Sequence, residues 1–208
     1  MFKNIEKVCF SSFQQPQLIV VVDTEEEFNW GAPPNRDSTS VAAMQNIFKT
    51  QSICEHYNIS PSYMVDYPIV NQEQGIAPLI EFSRKNTCEI GAHLHPWVTP
   101  PYTEQLSRKN MYPGNLPYEL EYEKIKNLQQ TIFSKTGNLP HTYKAGVHGF
   151  GTNTEDILRK LGFTIDMSVC PPYDFSNDCG PDYSDFPADP FWFGKKQRML
   201  EIPSSGAF

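Results

Sequence analysis

The sequence predicts an α/β fold in which parallel strands are backed by helices, closed as a barrel or open as a sheet. Two observations predict it. Short apolar runs alternate with stretches of helical periodicity along the chain, the rhythm of successive βα units. The first run, Leu18 to Val22, is continuous and apolar on both faces, as suits a strand covered on both sides. No internal repeat or linker interrupts the rhythm, so residues 1–208 read as a single domain.

Leu18 to Val22 is the first strand and runs into a cluster of acids. From Val41 to Cys54, apolar residues at Val41, Met44, Ile47, Phe48 and Cys54 recur close to helical spacing. Ser60-Pro61 introduces a second strand, Tyr63 to Val65. A helix is expected over Ile76 to Lys85, with Pro78 in its first turn, and a third strand over Cys88 to His95. The proline-rich stretch Pro96 to Pro117 lacks periodicity and reads as a long loop of the kind that carries function or covers a site. Glu119 to Lys135 puts Leu120, Ile125, Leu128 and Ile132 on one face and charges on the other, and stops near Gly137, which defines an amphipathic helix. Thr142 to Val147 is a strand. Thr152-Asn153-Thr154-Glu155 has capping-box spacing ahead of a short helix, Asp156 to Leu161, ended by Gly162. Phe163 to Met167 is a strand, Pro171 to Pro190 a loop, and Met199 to Ile202 the last strand; these are six of the about seven strands expected of the fold.

Charge and composition narrow the partners. Seventeen Lys and Arg against 24 Asp and Glu give a net charge of -7, with the basic residues scattered, which argues against duplex nucleic acid and anionic membranes. No apolar run approaches the ~20 residues that span a bilayer. Residues Met1 to Gln17 lack the ~7–15-residue apolar stretch of a secretory signal. The five cysteines form no CxxC pair and are odd in number, so a reduced, cytoplasmic compartment is expected.

Active groups of such folds gather at the carboxyl ends of the strands. Four ends here carry polar residues. In an extended chain Asp23 and Glu25 point one way and Thr24 the other, and His93 and His95 likewise share a face. Two carboxylates and two imidazoles at neighbouring strand ends match a divalent metal site with N/O ligands and one acid left over as a base. Taken singly, each pair is equally a set of solvated turn residues, and Glu25, Glu26 and Glu27 a solvated charge run, from which only the phase with Asp23 singles out Glu25. The third end, Lys144 to Gly151, has three glycines that permit close backbone approach, a lysine able to serve an adjacent carboxylate, and His148 in a Gly-flanked loop. The fourth is Asp166-Met167-Ser168.

These segments, in this order, resemble the polysaccharide deacetylase family (carbohydrate esterase family 4, the chitooligosaccharide deacetylase-like domain), and most of all its intracellular branch for surface-polysaccharide biosynthesis. Asp23-Thr24-Glu25 is similar to the spaced form of the first motif, and Glu89-Ile90-Gly91-Ala92-His93-Leu94-His95-Pro96-Trp97 to the second. The third, an Arg-led Gly-rich turn, is matched from Lys144-Ala145-Gly146 to Gly151, and the fourth by Asp166-Met167-Ser168. The similarity extends over roughly Gln17 to Pro203. Three departures stand out: Trp97 occupies the place of the second motif's usual second histidine, Lys144 replaces the leading arginine, and the terminal Leu-x-Leu-x-His strand is not found before Phe208. The last suggests a chain lacking its C-terminal part.

The resemblance implies an incomplete or distorted (β/α) barrel that removes the acetyl group from an N-acetylated sugar. It implies a divalent metal, zinc foremost, held by Glu25, His93 and His95. It further implies Asp23 as general base, Lys144 as the cation keeping Asp23 ionised, and His148 as the candidate acid. Trp97, Tyr102 and Tyr112 would meet the sugar, a backbone N–H near Gly149 would face the oxyanion, and Asp166 would line the substrate site. The competing expectation is a catalytically inactive sugar-binding or scaffold domain of the same fold. A phosphoesterase or another amide hydrolase would want a further His or Asp set and a more basic pocket.

Overall fold

Helical returns after each of the β-branched and apolar runs bring the chain back to the same end of the sheet, and six strands therefore run parallel. The computed structural model describes residues 2, 4–9, 17–194 and 198–205. Among these, the strands are β1 (Glu6–Lys7), β2 (Val21–Thr24), β3 (Ser62–Val65), β4 (Glu89–Leu94), β5 (Thr142–Ala145), β6 (Ile165–Asp166), β7 (Phe191–Phe193) and β8 (Met199–Glu201). Their order across one sheet is β1-β7-β8-β6-β5-β4-β3-β2. From β2 to β6, and on to β8, all pairings are parallel, whereas β7 and β1 add on antiparallel. Within the described residues β2 and β1 are the two ends and do not pair, so the sheet is open, as an incomplete barrel requires. The antiparallel pair was not legible: Glu6–Lys7 is two residues long, and Phe191–Phe193 follows a loop without periodicity.

The first strand lies further along than the apolar run suggests. Leu18 and Ile19 are exposed, and pairing begins only at Val21. As the sheet's edge, β2 lacks a neighbour on one side, which removes the reason for burial on both faces.

Among the described residues six α-helices accompany the sheet: α1 (Ile47–His56), α2 (Tyr67–Asn71), α3 (Glu73–Arg84), α4 (Arg108–Met111), α5 (Tyr118–Thr136) and α6 (Thr154–Leu161). The α5 stripe buries Ile125, Leu128 and Ile132, and the helix ends at Gly137 with φ of 78°, a conformation that costs glycine little. Helix α3 starts earlier than expected because the Gln72 carbonyl already accepts the Gly75 and Ile76 N–H groups, so Pro78 falls inside the helix and not in its first turn. The capping box before α6 is not made: Asn153 takes the N-cap without a side-chain bond, and Thr154 Oγ1 accepts from Gly151 N instead. Three short elements interrupt the expected long loop: 3₁₀ turns at Pro96–Val98 and Pro113–Asn115, and α4.

Register decides which side chains meet. Val65 pairs with Ala92, Ala92 with Tyr143, and Leu94 with Ala145, and these side chains join the apolar layer of Ile69, Ile76, Leu79, Ile125, Leu128 and Ile157. By alternation the opposite face carries Asp23, His93 and Lys144, with His93 directly beside Lys144. One face of the sheet thus supplies the core and the other a polar site.

Candidate active site

The site forms where the parallel strands end. Asp23 lies on β2, Glu25 one residue beyond it, His93 on β4, His95 just past that strand, and Lys144 on β5. All five line one cavity, together with His148, Trp30, Arg108, Tyr112, Phe175 and Asp178. The alternation expected of Asp23 and Glu25, and of His93 and His95, therefore holds for one residue past each strand.

Glu25 Oε2 lies 3.2 Å from His93 Nε2 and 3.3 Å from His95 Nε2. These atoms are close enough together to hold one ion. On the far side of each ring, His93 Nδ1 is 3.1 Å from the Lys144 carbonyl and His95 Nδ1 is 2.8 Å from Glu26 Oε2. The Lys144 carbonyl can only accept, and Glu26 accepts in its ionised form, so each ring is placed to donate from Nδ1 and, when neutral, to turn its Nε2 lone pair toward Glu25. Three lone-pair atoms then face one another, and His95 Nε2 is buried without a hydrogen-bond partner. Such a donor set fits a divalent cation with an N₂O sphere. Burial pushes the Glu25 carboxyl upward, and the adjacent His93 and His95 imidazoles outweigh it, so the net direction is down. Burial drives His95 down, in favour of the neutral ring that a metal ligand needs.

Asp23 stands outside this trio and pairs with the Lys144 ammonium. Burial raises its carboxyl, but His93 and Lys144 more than reverse that and hold it at about 2. Lys144 is itself nearly buried, so little water screens the pair.

His148 enters the cavity on a strained turn. Val147 and His148 have φ of 47° and 57°, and for a β-branched residue this region costs about 1–3 kcal/mol. Tyr183 Oη donates to the His148 carbonyl at 2.6 Å, and Ser168 O lies 3.0 Å from its Nδ1. The ring stacks on Phe175 with a centroid separation of 5.7 Å. Burial, with help from Lys144, pushes His148 down to about 4.

Gly146 makes room for this arrangement. A Cβ there would sit 2.3 Å from the Leu94 carbonyl oxygen and 2.6 Å from His95 Cδ2, so only glycine lets β5 pass the imidazole.

Of the residues expected to meet substrate, Tyr112 lines the cavity, whereas Trp97, Tyr102, Gly149 and Asp166 do not. Trp97 is only 1% exposed, its ring lies 4.2 Å from that of His95, and its Nε1 donates to Glu26 Oε1 at 2.8 Å. Tyr102 bonds the Val98 carbonyl and lies under the Arg36 guanidinium. The Gly149 N–H is taken by the Gly146 carbonyl at 2.9 Å, which removes it as an oxyanion donor. Asp166 is in register with Tyr143, on the face turned away from Lys144, where it accepts from Ser168 Oγ and lies in register with Glu201 on β8. Burial raises both acids of that pair.

Two buried acids were missed. Glu26, treated as part of a solvated run, accepts from Trp97 and His95, and burial with the Glu25 charge raises it to about 7. Asp66 caps α2 by accepting from Ile69 N at 3.0 Å, and Asp66-Tyr67-Pro68, a capping acid followed by a first-turn proline, was the available signal. Trp30, 49% exposed, borders the cavity together with Tyr112 and Phe175.

No family model matches the chain, and no curated protein does. Among solved structures it is similar to a protein described as a polysaccharide deacetylase from Mycobacterium smegmatis, with a TM-score of 0.54 and 18% identity, over 77% of this chain and 46% of that one. It is also similar to the BpsB deacetylase domain from Bordetella bronchiseptica, with a TM-score of 0.51 and 14% identity, over 79% of this chain and 66% of that one. The chain thus spans about half to two thirds of the length of these structures. At such identities the shared property is the fold: the open, incomplete barrel seen here is the polysaccharide deacetylase fold, as the motif resemblance implied.

Proposed function

We propose that this chain is a metal-dependent hydrolase that removes the N-acetyl group from a sugar of a surface polysaccharide or its precursor, acting in the cytoplasm on an activated or lipid-linked form. Glu25, His93 and His95 would hold the metal, with zinc first among the candidates. The observation that carries the reading is the convergence of Glu25 Oε2, His93 Nε2 and His95 Nε2 beside an Asp23–Lys144 pair that remains outside that trio.

A divalent ion bound there supplies Lewis acidity, polarising the amide carbonyl and acidifying water. The remaining work falls to the chain. Asp23 takes the proton of the attacking water, and Lys144 keeps the carboxylate ionised and aimed into the cavity. His148 has its Nδ1 committed to the Ser168 carbonyl, which leaves Nε2 to relay a proton to the departing amine. Trp30 offers a half-exposed face against which a sugar ring can pack.

Metal content and acetate release from N-acetylated sugars, measured on wild type, His93→Ala and Asp23→Asn, test this reading. About one divalent ion per chain is expected, lost in His93→Ala and retained in an inactive Asp23→Asn. No metal in the wild type, even after incubation with zinc, would overturn it and leave a non-catalytic sugar-binding domain of the same fold.

A further inference from the structure

The His95 ring is sealed in the interior, and its two nitrogens have unlike surroundings. Nδ1 meets Glu26 Oε2 at 2.8 Å, whereas Nε2 faces Glu25 and His93 with no hydrogen-bond partner. Glu26 is held from three directions. Its Oε1 accepts from Trp97 Nε1 at 2.8 Å, its backbone N–H donates to Asp66 Oδ2 at 3.0 Å, and Asp66 is in turn fixed by the Ile69 N–H at the start of α2. The stacked Trp97 ring and the glycine at 146 leave the imidazole no other seat.

Glu26, Asp66 and His95 are also near enough together to hold an ion. Their facing atoms, however, are already used: neither a Glu26 oxygen nor His95 Nδ1 is among the buried orphans, whereas His95 Nε2 is. The hydrogen-bonded side is a support, and the orphaned side is the ligand.

We infer that Glu26 is the positioning residue of the metal centre, holding His95 in its Nδ1–H tautomer so that the Nε2 lone pair is presented beside Glu25 and His93. This rests on the proposed metal reading for its purpose, but not for its geometry. For His93 the same service comes from a backbone carbonyl, that of Lys144, which no substitution removes. For His95 it comes from a side chain and is open to mutation. A carboxylate in this role both fixes the ring and raises its basicity, and its loss typically weakens a metal about 10–100-fold.

The test is the tautomer of His95 in metal-free protein, read from two-bond ¹H–¹⁵N spectra of histidine-labelled samples, together with zinc affinity by competition with a chelating dye. Wild type should show His95 with its proton on Nδ1. In Glu26→Gln one amide oxygen must serve both Trp97 and His95, so a population with the proton on Nε2 should appear while His93 is unchanged, and zinc should bind about 10–100-fold more weakly. Glu26→Ala should show the same loss, and should it fail to fold, Glu26→Gln decides alone. A wild-type His95 protonated on Nε2, or Glu26→Gln with wild-type tautomer and affinity, overturns the assignment. Zinc binding abolished in Glu26→Gln but intact in Glu25→Gln would also overturn it, by placing the ion among Glu26, Asp66 and His95. If wild type binds no zinc, the deacetylase reading fails, and the tautomer spectrum still decides whether Glu26 fixes His95.

Discussion

Lys144 pairs with Asp23 from three strands away, across β4 and β3, while its own carbonyl accepts from His93 on the adjacent strand. One residue thus touches both the candidate base and a candidate ligand, the first through its side chain and the second through its backbone. Lys144→Met removes only the first contact. Burial would then push Asp23 up without the charge and hydrogen bond that Lys144 sets against it, and the base would be protonated over more of the acidic range. Acetate release is expected to fall by about 10²–10⁴-fold, with the acid limb of kcat/KM moved to higher pH. Metal content should be unchanged, since the backbone carbonyl remains.

Gly146→Ala tests the seat of His95. The new methyl would lie 2.6 Å from His95 Cδ2 and closer still to the Leu94 carbonyl oxygen, neither of which can move without disturbing β4. The variant should lose metal and be destabilised by about 1–3 kcal/mol, as overpacked interiors are. Elemental analysis and urea denaturation check both, and a variant with full metal content would show that the ring can tilt aside.

Trp30 and Trp97 exchange the roles that sequence position suggests. Trp97 follows the second motif directly, but its burial and its bond to Glu26 commit it to holding His95. Trp30 borders the cavity with half its surface exposed. Trp30→Ala is therefore expected to raise KM about 5-fold, the scale of one lost aromatic contact of ~1 kcal/mol, with metal content and melting temperature near wild type. Trp97→Phe, which leaves Glu26 short of a donor, should instead lower zinc affinity and stability. Steady-state kinetics beside zinc titration separates the two.

The geometry of the site explains why the sequence disclosed its inner trio but not its support. Asp23, Glu25, His93 and His95 were legible because strand alternation acts over two residues and needs no knowledge of what lies opposite. Lys144 was legible as a cation at a neighbouring strand end. Glu26, Asp66 and Trp97 depend on what happens after β2 and β4 have ended, where the chain turns and an acid from the outward phase can reach back to an imidazole. Asp166 went the other way: its position after a strand suggested a site residue, but register with Tyr143 turns it to the opposite face. The parallel core of the fold followed from alternation of runs, whereas β1 and β7 are too short to leave a periodic signal.

Glu121 sits on the buried face of α5, away from the candidate site, and gives a prediction about stability alone. Its Oε1 contacts Thr154 Oγ1, and its Oε2 is buried without a partner. Burial raises the carboxyl from 4.5 to about 7, only partly opposed by Thr154. A group whose folded pKa is raised contributes stability that is fully present below its unfolded value and is lost as pH rises through the folded one. The window here is pH 4.5 to about 7. Glu121→Gln keeps the shape and cannot ionise, so it should match wild type near pH 4.5 and become the more stable protein above pH 7. The gap should approach about 3 kcal/mol, from ~1.4 kcal/mol per pKa unit. Urea denaturation of both proteins at pH 4.5, 6 and 8 measures it. A constant difference across that range would mean that Glu121 stays ionised in the fold, with water or another donor satisfying Oε2.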